Sequence, residues 1–138
     1  MWILYALLAA IFAAAVAILG KIGLKDIDST LATTIRAVVM AGFLVGAAAI
    51  LNKAPLLKAV ESKTLLFIIL SGVAGALSWL FYFLALKYGP AVGVAALDRL
   101  SVVFVVILAA LFLGEAMTLK SATGLVLIVA GALLLVFK

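Results

Sequence analysis

An acidic and a basic residue stand side by side in the most apolar part of this sequence. Asp98 and Arg99 lie inside the segment VAALDRLSVVF (94–104), where the other residues are almost all apolar or small. A carboxylate and a guanidinium in such surroundings can bind a polar solute, neutralise each other, or exchange a proton at the carboxylate. Ionisable residues in apolar segments usually face the interior of a helix bundle or a water-filled cavity.

The composition indicates that lipid surrounds these residues. Hydrophobic residues make up 70% of the 138 residues and charged residues 11%, whereas soluble domains are about half apolar and about a quarter charged. One domain of this length could not hide so much apolar surface from water. The bilayer is therefore the expected surrounding of an all-α membrane protein.

Composition also excludes several functions. The sequence has no Cys and no His, which removes disulfides, thiol chemistry and the commonest metal ligand. We expect no cofactor and no metal. The net charge of +5 is spread over short loops, which does not favour a nucleic-acid partner. No nucleophile–base pair or phosphate-binding loop is present, so no catalytic residue is expected and the protein is predicted not to be an enzyme.

Five apolar segments are long enough to cross a bilayer as helices, each near the ~20 residues required. They are expected at about 2–24, 30–51, 64–86, 90–113 and 118–137. Asp28 is a candidate N-cap for the second span, and Pro90 suits the first turn of the fourth. The short link between spans three and four makes them antiparallel neighbours.

An odd number of spans places the two termini on opposite sides of the membrane. Four lysines flank the spans on each side: 21, 25, 87 and 138 against 53, 58, 63 and 120. Orientation normally follows a Lys/Arg excess on the cytoplasmic side. The balance here predicts that the chain inserts in both orientations, although an equal count also arises by chance.

The depth of the charged residues suggests a shared polar site. Asp98 is ~12 Å into its span and Arg36 ~9 Å into the second. Adjacent helical residues point ~100° apart, so Asp98 and Arg99 are each expected to find a partner elsewhere. Ser78 and Tyr82 share a face of the third span. The predicted substrate or coupling site contains Asp98, Arg99, Arg36, Tyr82 and Ser78, with Lys21 guarding its entrance.

A purely structural interpretation stays open at this point. Arg36 and Asp98 would then neutralise each other and lock two helices together, because buried ion pairs fix geometry in some proteins. Arg99 would still lack a partner, and a functional site would use that surplus positive charge. Asp98 is the sole acid inside a span, so any proton coupling would involve it.

Small residues recur at intervals that allow close helix packing in lipid. Gly42 and Gly46 form one such pair, and Gly72 with Ala76 another. Gly124 and Gly131 are seven residues apart, hence on one face of the fifth span, and are the predicted dimer contact.

These motifs together resemble the EamA-type domain of the drug/metabolite transporter superfamily. The resemblance covers essentially the whole chain, and Asp98–Ser101 is similar to the single-domain subgroup. It rests on LGKIGL (19–24), Arg36, WLFYFLALKYGP (79–90), VFVVILAALFLGEAMTL (103–119), Gly124 and Gly131.

The resemblance implies a bundle of five transmembrane helices that corresponds to one half of a ten-helix transporter. A lone half regains the inverted symmetry of such carriers by pairing with an oppositely inserted copy. The implied function is a secondary transporter or exporter of a small polar or amphipathic metabolite in the plasma (inner) membrane, acting as a homodimer with alternating access. Two alternatives remain: a flippase for a lipid carrier or lipid phosphate, and a non-transporting membrane scaffold subunit.

Overall fold

The computed structural model describes residues 1–137, with side chains described throughout except at residues 57 and 58. Lys138, one of the flanking lysines, therefore lies outside the described residues, as does the side chain of Lys58. Every regular element within residues 1–137 is helical, and five helical segments are long and apolar enough to cross a membrane. The prediction of an all-α membrane protein is confirmed.

The helix bounds lie within two residues of those predicted. Helix α1 spans Trp2–Gly23 and α2 spans Ser29–Ile50; a short 3₁₀ helix, Ala54–Ala59, precedes α3 at Ser62–Tyr88. The fourth span contains α4 (Ala91–Asp98), α5 (Ser101–Leu108) and a π-helix (Ala109–Leu113), and the fifth is α6 (Leu119–Val136).

Side chains just ahead of two helices satisfy their first backbone donors. The Asp28 carboxylate accepts hydrogen bonds from the N–H groups of Thr30 and Leu31, at 2.9 and 3.1 Å, as predicted for the start of α2. Thr118 and Ser121 form a reciprocal capping box at α6, each side chain accepting from the other's backbone N–H. These caps define where the apolar helices begin.

The chain groups into two compact units. One unit contains α1 up to Ile22 together with the chain from Tyr88 onward, and the other contains Gly23–Lys87. We call them the α1/α4–α6 unit and the α2/α3 unit. The prediction of one domain covering residues 1–138 stays a prediction.

Close packing within the α1/α4–α6 unit depends on small residues that the spacing of glycines did not reveal. Helix α4 packs on α6, with Gly93 and Ala96 buried on α4 and Ala132 buried on α6. A Cβ at Gly93 would come within 3.3 Å of Pro90 Cγ and 3.9 Å of Val136 Cγ2. The added Cβ would press on Pro90 just ahead of α4, while its distance to Val136 on α6 is an ordinary van der Waals contact.

The glycines at packing intervals face open space in the single chain. A Cβ added at Gly42, Gly46, Gly72, Gly124 or Gly131 would meet no atom within 4 Å. The predicted dimer contact at Gly124 and Gly131 therefore stays a prediction, as does close packing at the other glycines. Spacing marks which residues share a helix face, while a second helix must still be placed against that face.

Candidate functional site

The six predicted site residues divide equally between the two units. Asp98, Arg99 and Lys21 belong to the α1/α4–α6 unit, and Arg36, Ser78 and Tyr82 belong to the α2/α3 unit. The two groups are described in turn.

Asp98 and Arg99 pair with each other. Arg99 Nη2 lies 3.5 Å from Asp98 Oδ2, and the side chains are 54% and 37% exposed, respectively. The expectation that adjacent residues would need separate partners is wrong, as is the idea that Arg99 is a surplus cation. A guanidinium on a long, flexible side chain reaches the preceding carboxylate despite the angle between the two residues. The distance exceeds the 2.7–2.9 Å of a tight charge-assisted hydrogen bond, so the pair is loose.

The ion pair lies at an interruption in the fourth span. Helix α4 ends at Asp98 and α5 begins at Ser101. Between them, the N–H groups of Arg99 and Leu100 donate to the carbonyls three residues earlier, at 3.2 and 2.9 Å. Both residues have ψ near −16°, as in a 3₁₀ turn. A short 3₁₀ stretch inside a helix often marks a functional hinge.

The fourth span changes its hydrogen-bonding pattern a second time near its end. Ala109–Leu113 forms a π-helix, and Gly114 follows with a left-handed φ of 68°. Glycine accepts that conformation without a steric penalty. One span thus combines α, 3₁₀ and π hydrogen bonding, with the charged pair at the first transition.

The guanidinium of Arg36 stacks on an aromatic cluster in the α2/α3 unit. Arg36 Cζ lies 3.6 Å from the centroid of the Trp79 ring and 5.6 Å from that of Phe83. Cations within about 6 Å of an aromatic face are attracted by the ring quadrupole, most strongly for Trp. The side chain of Arg36 is neither fully buried nor fully exposed.

Tyr82 belongs to this cluster and Ser78 flanks it. The Tyr82 ring lies edge-on to Trp79 with centroids 5.4 Å apart, and 6.3 Å from Phe83, which is buried. Ser78 precedes Trp79 on α3 and is exposed. The structure joins Arg36 and Tyr82 through the Trp79 ring, which the sequence prediction left out; their role in a substrate site stays a prediction.

Lysines at the ends of two helices bind backbone carbonyls. Lys21 Nζ donates to Gly89 O at 2.8 Å, and Lys87 Nζ donates to Ile27 O at 2.7 Å. Each acceptor lies two residues before the first residue of α4 or α2. Lys21 was predicted to guard an entrance; its ammonium joins α1 to the turn before α4, which is a structural contact.

The hydrogen bond from Lys87 to Ile27 also fixes the position of the aromatic cluster. Trp79 lies eight residues before Lys87, and Arg36 eight residues after Asp28, so both are ~12 Å from the tied ends of their helices. The bond from the Leu31 N–H is the main cause that lowers the pKa of Asp28 below its ordinary value, and the Thr30 N–H and the charge of Lys87 act in the same direction. Arg36 and Trp79 thus lie at matching distances from the end at which the two helices are joined.

The sequence prediction missed Trp79, Phe83 and Lys87. Their signal was present in the segment WLFYFLALK (79–87), where Trp79, Phe83 and Lys87 recur at four-residue intervals on one helix face. Within residues 1–137, no group of three His, Cys, Asp or Glu side chains could hold a metal ion.

The fold and these sites define a multi-pass membrane protein with ionisable residues inside its spans. The chain belongs to the EamA-like transporter family, whose model matches residues 1–137. It is 45% identical over 134 residues to a Sinorhizobium sp. protein named "Uncharacterized transporter in cobO 3'region". The aligned region covers 97% of this chain and 95% of that protein. No solved structure matches the chain. The family and this relative identify a transporter, and the recognition made from the motifs is confirmed.

Proposed function

We propose that this protein is a secondary transporter of a small polar or amphipathic metabolite, located in the plasma membrane and working by alternating access. The observation that carries the proposal is the Asp98–Arg99 pair at the 3₁₀ turn of the fourth span. Secondary transporters commonly place substrate and ion sites at such discontinuities in transmembrane helices. A loose ion pair can exchange one partner for a polar group of the substrate, and the turn gives the span a place to flex.

The working unit in this proposal is a homodimer. In a single chain the Asp98 and Arg99 side chains are substantially exposed, and a charge at mid-span facing acyl chains costs about 2.5–3.5 kcal/mol on insertion scales. A second copy supplies protein and a polar cavity in place of lipid. An antiparallel partner also recreates the inverted repeat of a ten-helix carrier from a five-span chain.

Saturable flux tests the proposal. Purified dimeric protein in liposomes is expected to take up at least one compound of a broad panel of labelled polar metabolites, with saturation. Arg99→Leu is expected to abolish that uptake while the protein stays folded, whereas Lys53→Gln, which removes an exposed charge outside the spans, should have no effect. Absence of saturable uptake for the whole panel would refute transport, and unchanged uptake by Arg99→Leu would favour a scaffold subunit.

The dimer contact is assigned to the open face of α6. Leucine at Gly124 and Gly131 would meet no atom of its own chain within contact distance of its Cβ, so the monomer should fold. We expect the double variant to weaken dimerisation by about tenfold or more, since small residues let helices approach in lipid. Sedimentation equilibrium in density-matched detergent measures this, and Gly72→Leu on α3, equally open, is the control. An unchanged dimer would place the contact elsewhere.

We propose that the chain inserts in both orientations, because equal numbers of lysines flank the spans on the two sides. Labelling of a single cysteine tests this proposal. The chain has no cysteine, so Phe137→Cys introduces a single labelling site near the C-terminus. Two populations of comparable size are expected, one labelled from each side of the membrane. Labelling from one side alone would exclude an antiparallel dimer.

A further inference from the structure

Arg36 is the basic residue well inside α2, and within the described residues no ion pair joins it to a carboxylate of its own unit. The acids of the α2/α3 unit are Asp26, Asp28 and Glu61, and all three lie outside α2 and α3. The Asp28 carboxylate is already used as a helix cap. Arg99, in contrast, has Asp98 at 3.5 Å. An unneutralised guanidinium inside a span is costly in lipid and usually marks a functional position.

The contact with Trp79 leaves the binding edge of the guanidinium available. A guanidinium is planar and directs its five N–H donors outward in that plane. Cζ lies 3.6 Å from the ring centroid, the separation of a guanidinium packed face-on to an indole, and in that arrangement the in-plane donors are not directed at the ring. Two parallel donors on such an edge match the oxygens of a carboxylate or phosphate and bind them bidentately.

The guanidinium is also held in place before any ligand arrives. Trp79 contacts both Tyr82 and the buried Phe83, and the Lys87–Ile27 bond joins the two helices at the near end. A receptor whose side chain is already ordered loses less conformational freedom on binding, which raises affinity. The rings beside Arg36 add apolar surface for the rest of the ligand.

We propose that Arg36 is the receptor for an anionic group of the substrate, a carboxylate or a phosphate, and that Trp79 is the residue that positions it. This inference rests on the proposed transport function and narrows its substrate class to anions or zwitterions. Arg36 is chosen over Arg99 because Arg99 already has a carboxylate 3.5 Å away, whereas no ion pair joins Arg36 to a carboxylate of its own unit.

Fluorescence of Trp79 reports occupancy directly. The chain has two tryptophans, so Trp2→Phe leaves Trp79 as the single reporter. This protein, in phosphatidylcholine nanodiscs, is titrated with inorganic phosphate and with glutarate at constant ionic strength set by sodium chloride, and with choline as a cation. We expect a saturable change in emission with the anions and none with choline.

Substitutions assign the response to Arg36. Arg36→Gln is expected to lose it, and Arg36→Lys, which keeps the charge but not the planar fork, to bind at least about tenfold more weakly. Lys53→Gln, a matched loss of charge outside the spans, should titrate normally. A response that is absent in the parent, or equal in Arg36→Gln, overturns the inference.

Nanodiscs containing phosphatidylglycerol separate the two sources of an anionic group. A lipid headgroup at Arg36 would shift the emission before phosphate is added and suppress the titration, which supports the anion receptor with a lipid ligand. An identical titration in both lipids supports a soluble ligand. Failure of the receptor can be told apart from failure of the transport proposal. If liposomes take up cations alone with saturation, and Trp79 emission does not change with anions in either lipid, the protein is a transporter but Arg36 is not an anion receptor.

Discussion

Asp98→Asn is expected to lower saturable uptake by about tenfold or more. Adding Arg99→Gln then tests whether the loss comes from the unpaired charge. Asparagine keeps the size of the side chain but removes the charge that faces Arg99 at 3.5 Å. Leaving one partner of an intramembrane pair without the other is costly, since the remaining charge is uncompensated. A loss of ~1.4 kcal/mol is already a tenfold change. Initial uptake rates in liposomes and thermal unfolding in detergent are measured together.

The double variant Asp98→Asn with Arg99→Gln separates a structural pair from a functional one. Both charges are then absent, so stability should recover towards that of the parent protein, whereas transport should stay low. Recovery of both stability and transport would show that the pair only joins parts of the fold. Asp26→Asn, which removes a carboxylate outside the spans, is the control and should change neither.

The same variant tests proton coupling. Asp98 is the one acid inside a span, so a carrier driven by protons would need its carboxyl group. Asp98→Asn should then abolish uptake driven by a pH gradient while exchange of substrate across the membrane survives. Uptake by the parent protein that ignores the pH gradient would rule out this role.

Trp79→Leu should raise the concentration for half-maximal uptake by about thirtyfold. A cation on a desolvated indole face is stabilised by about 2 kcal/mol, and losing that contact frees the guanidinium of Arg36 from its position. Trp79→Phe retains a weaker aromatic face and should show a smaller increase. Flux measured over a range of substrate concentrations gives the maximal rate and the half-saturation concentration separately.

Trp2→Leu is the matched control for that experiment. Trp2 is 76% exposed at the start of α1 and has no part in the aromatic cluster, so its loss should leave the flux unchanged. Equal values for Trp79→Leu and the parent protein would contradict the positioning role. A fall in the maximal rate alone, at constant half-saturation, would mean that Trp79 acts on conformational change and not on binding.

Much of the fold follows from the sequence because one physical requirement dominates it, namely the hydrogen bonding of the backbone in lipid. Backbone groups in lipid must bond within their own helix, so runs of apolar residues fix the number and length of spans. Asp28 and Thr118 then fix helix starts, through side chains that satisfy free N–H groups. The interruption at Arg99 and Leu100 escaped prediction because no Pro or Gly marks it; a 3₁₀ turn costs little and depends on tertiary surroundings.

For the candidate site, the sequence predicts which residue types take part, whereas the structure gives some of them other partners. Charge in an apolar segment identified Arg36, Asp98 and Arg99, since burial of charge is expensive wherever it occurs. The helical period does not predict that Arg99 contacts Asp98, because the end of a long side chain can point away from the direction of its own Cα–Cβ bond. Trp79 was overlooked because an aromatic residue in a span is by default assigned to packing.

The bond between Lys21 and Gly89 joins residues 68 positions apart, which has a consequence for biosynthesis. Ribosomes add roughly 5–20 residues per second, so α1 waits some 3–14 s for the acceptor carbonyl to be made. Throughout that interval the contiguous segment Gly23–Lys87 can assemble. Helix α1 is then already in the bilayer, but the Gly89 carbonyl that Lys21 binds has not yet been synthesised. The unit that carries the Asp98–Arg99 pair is thus completed after the α2/α3 unit.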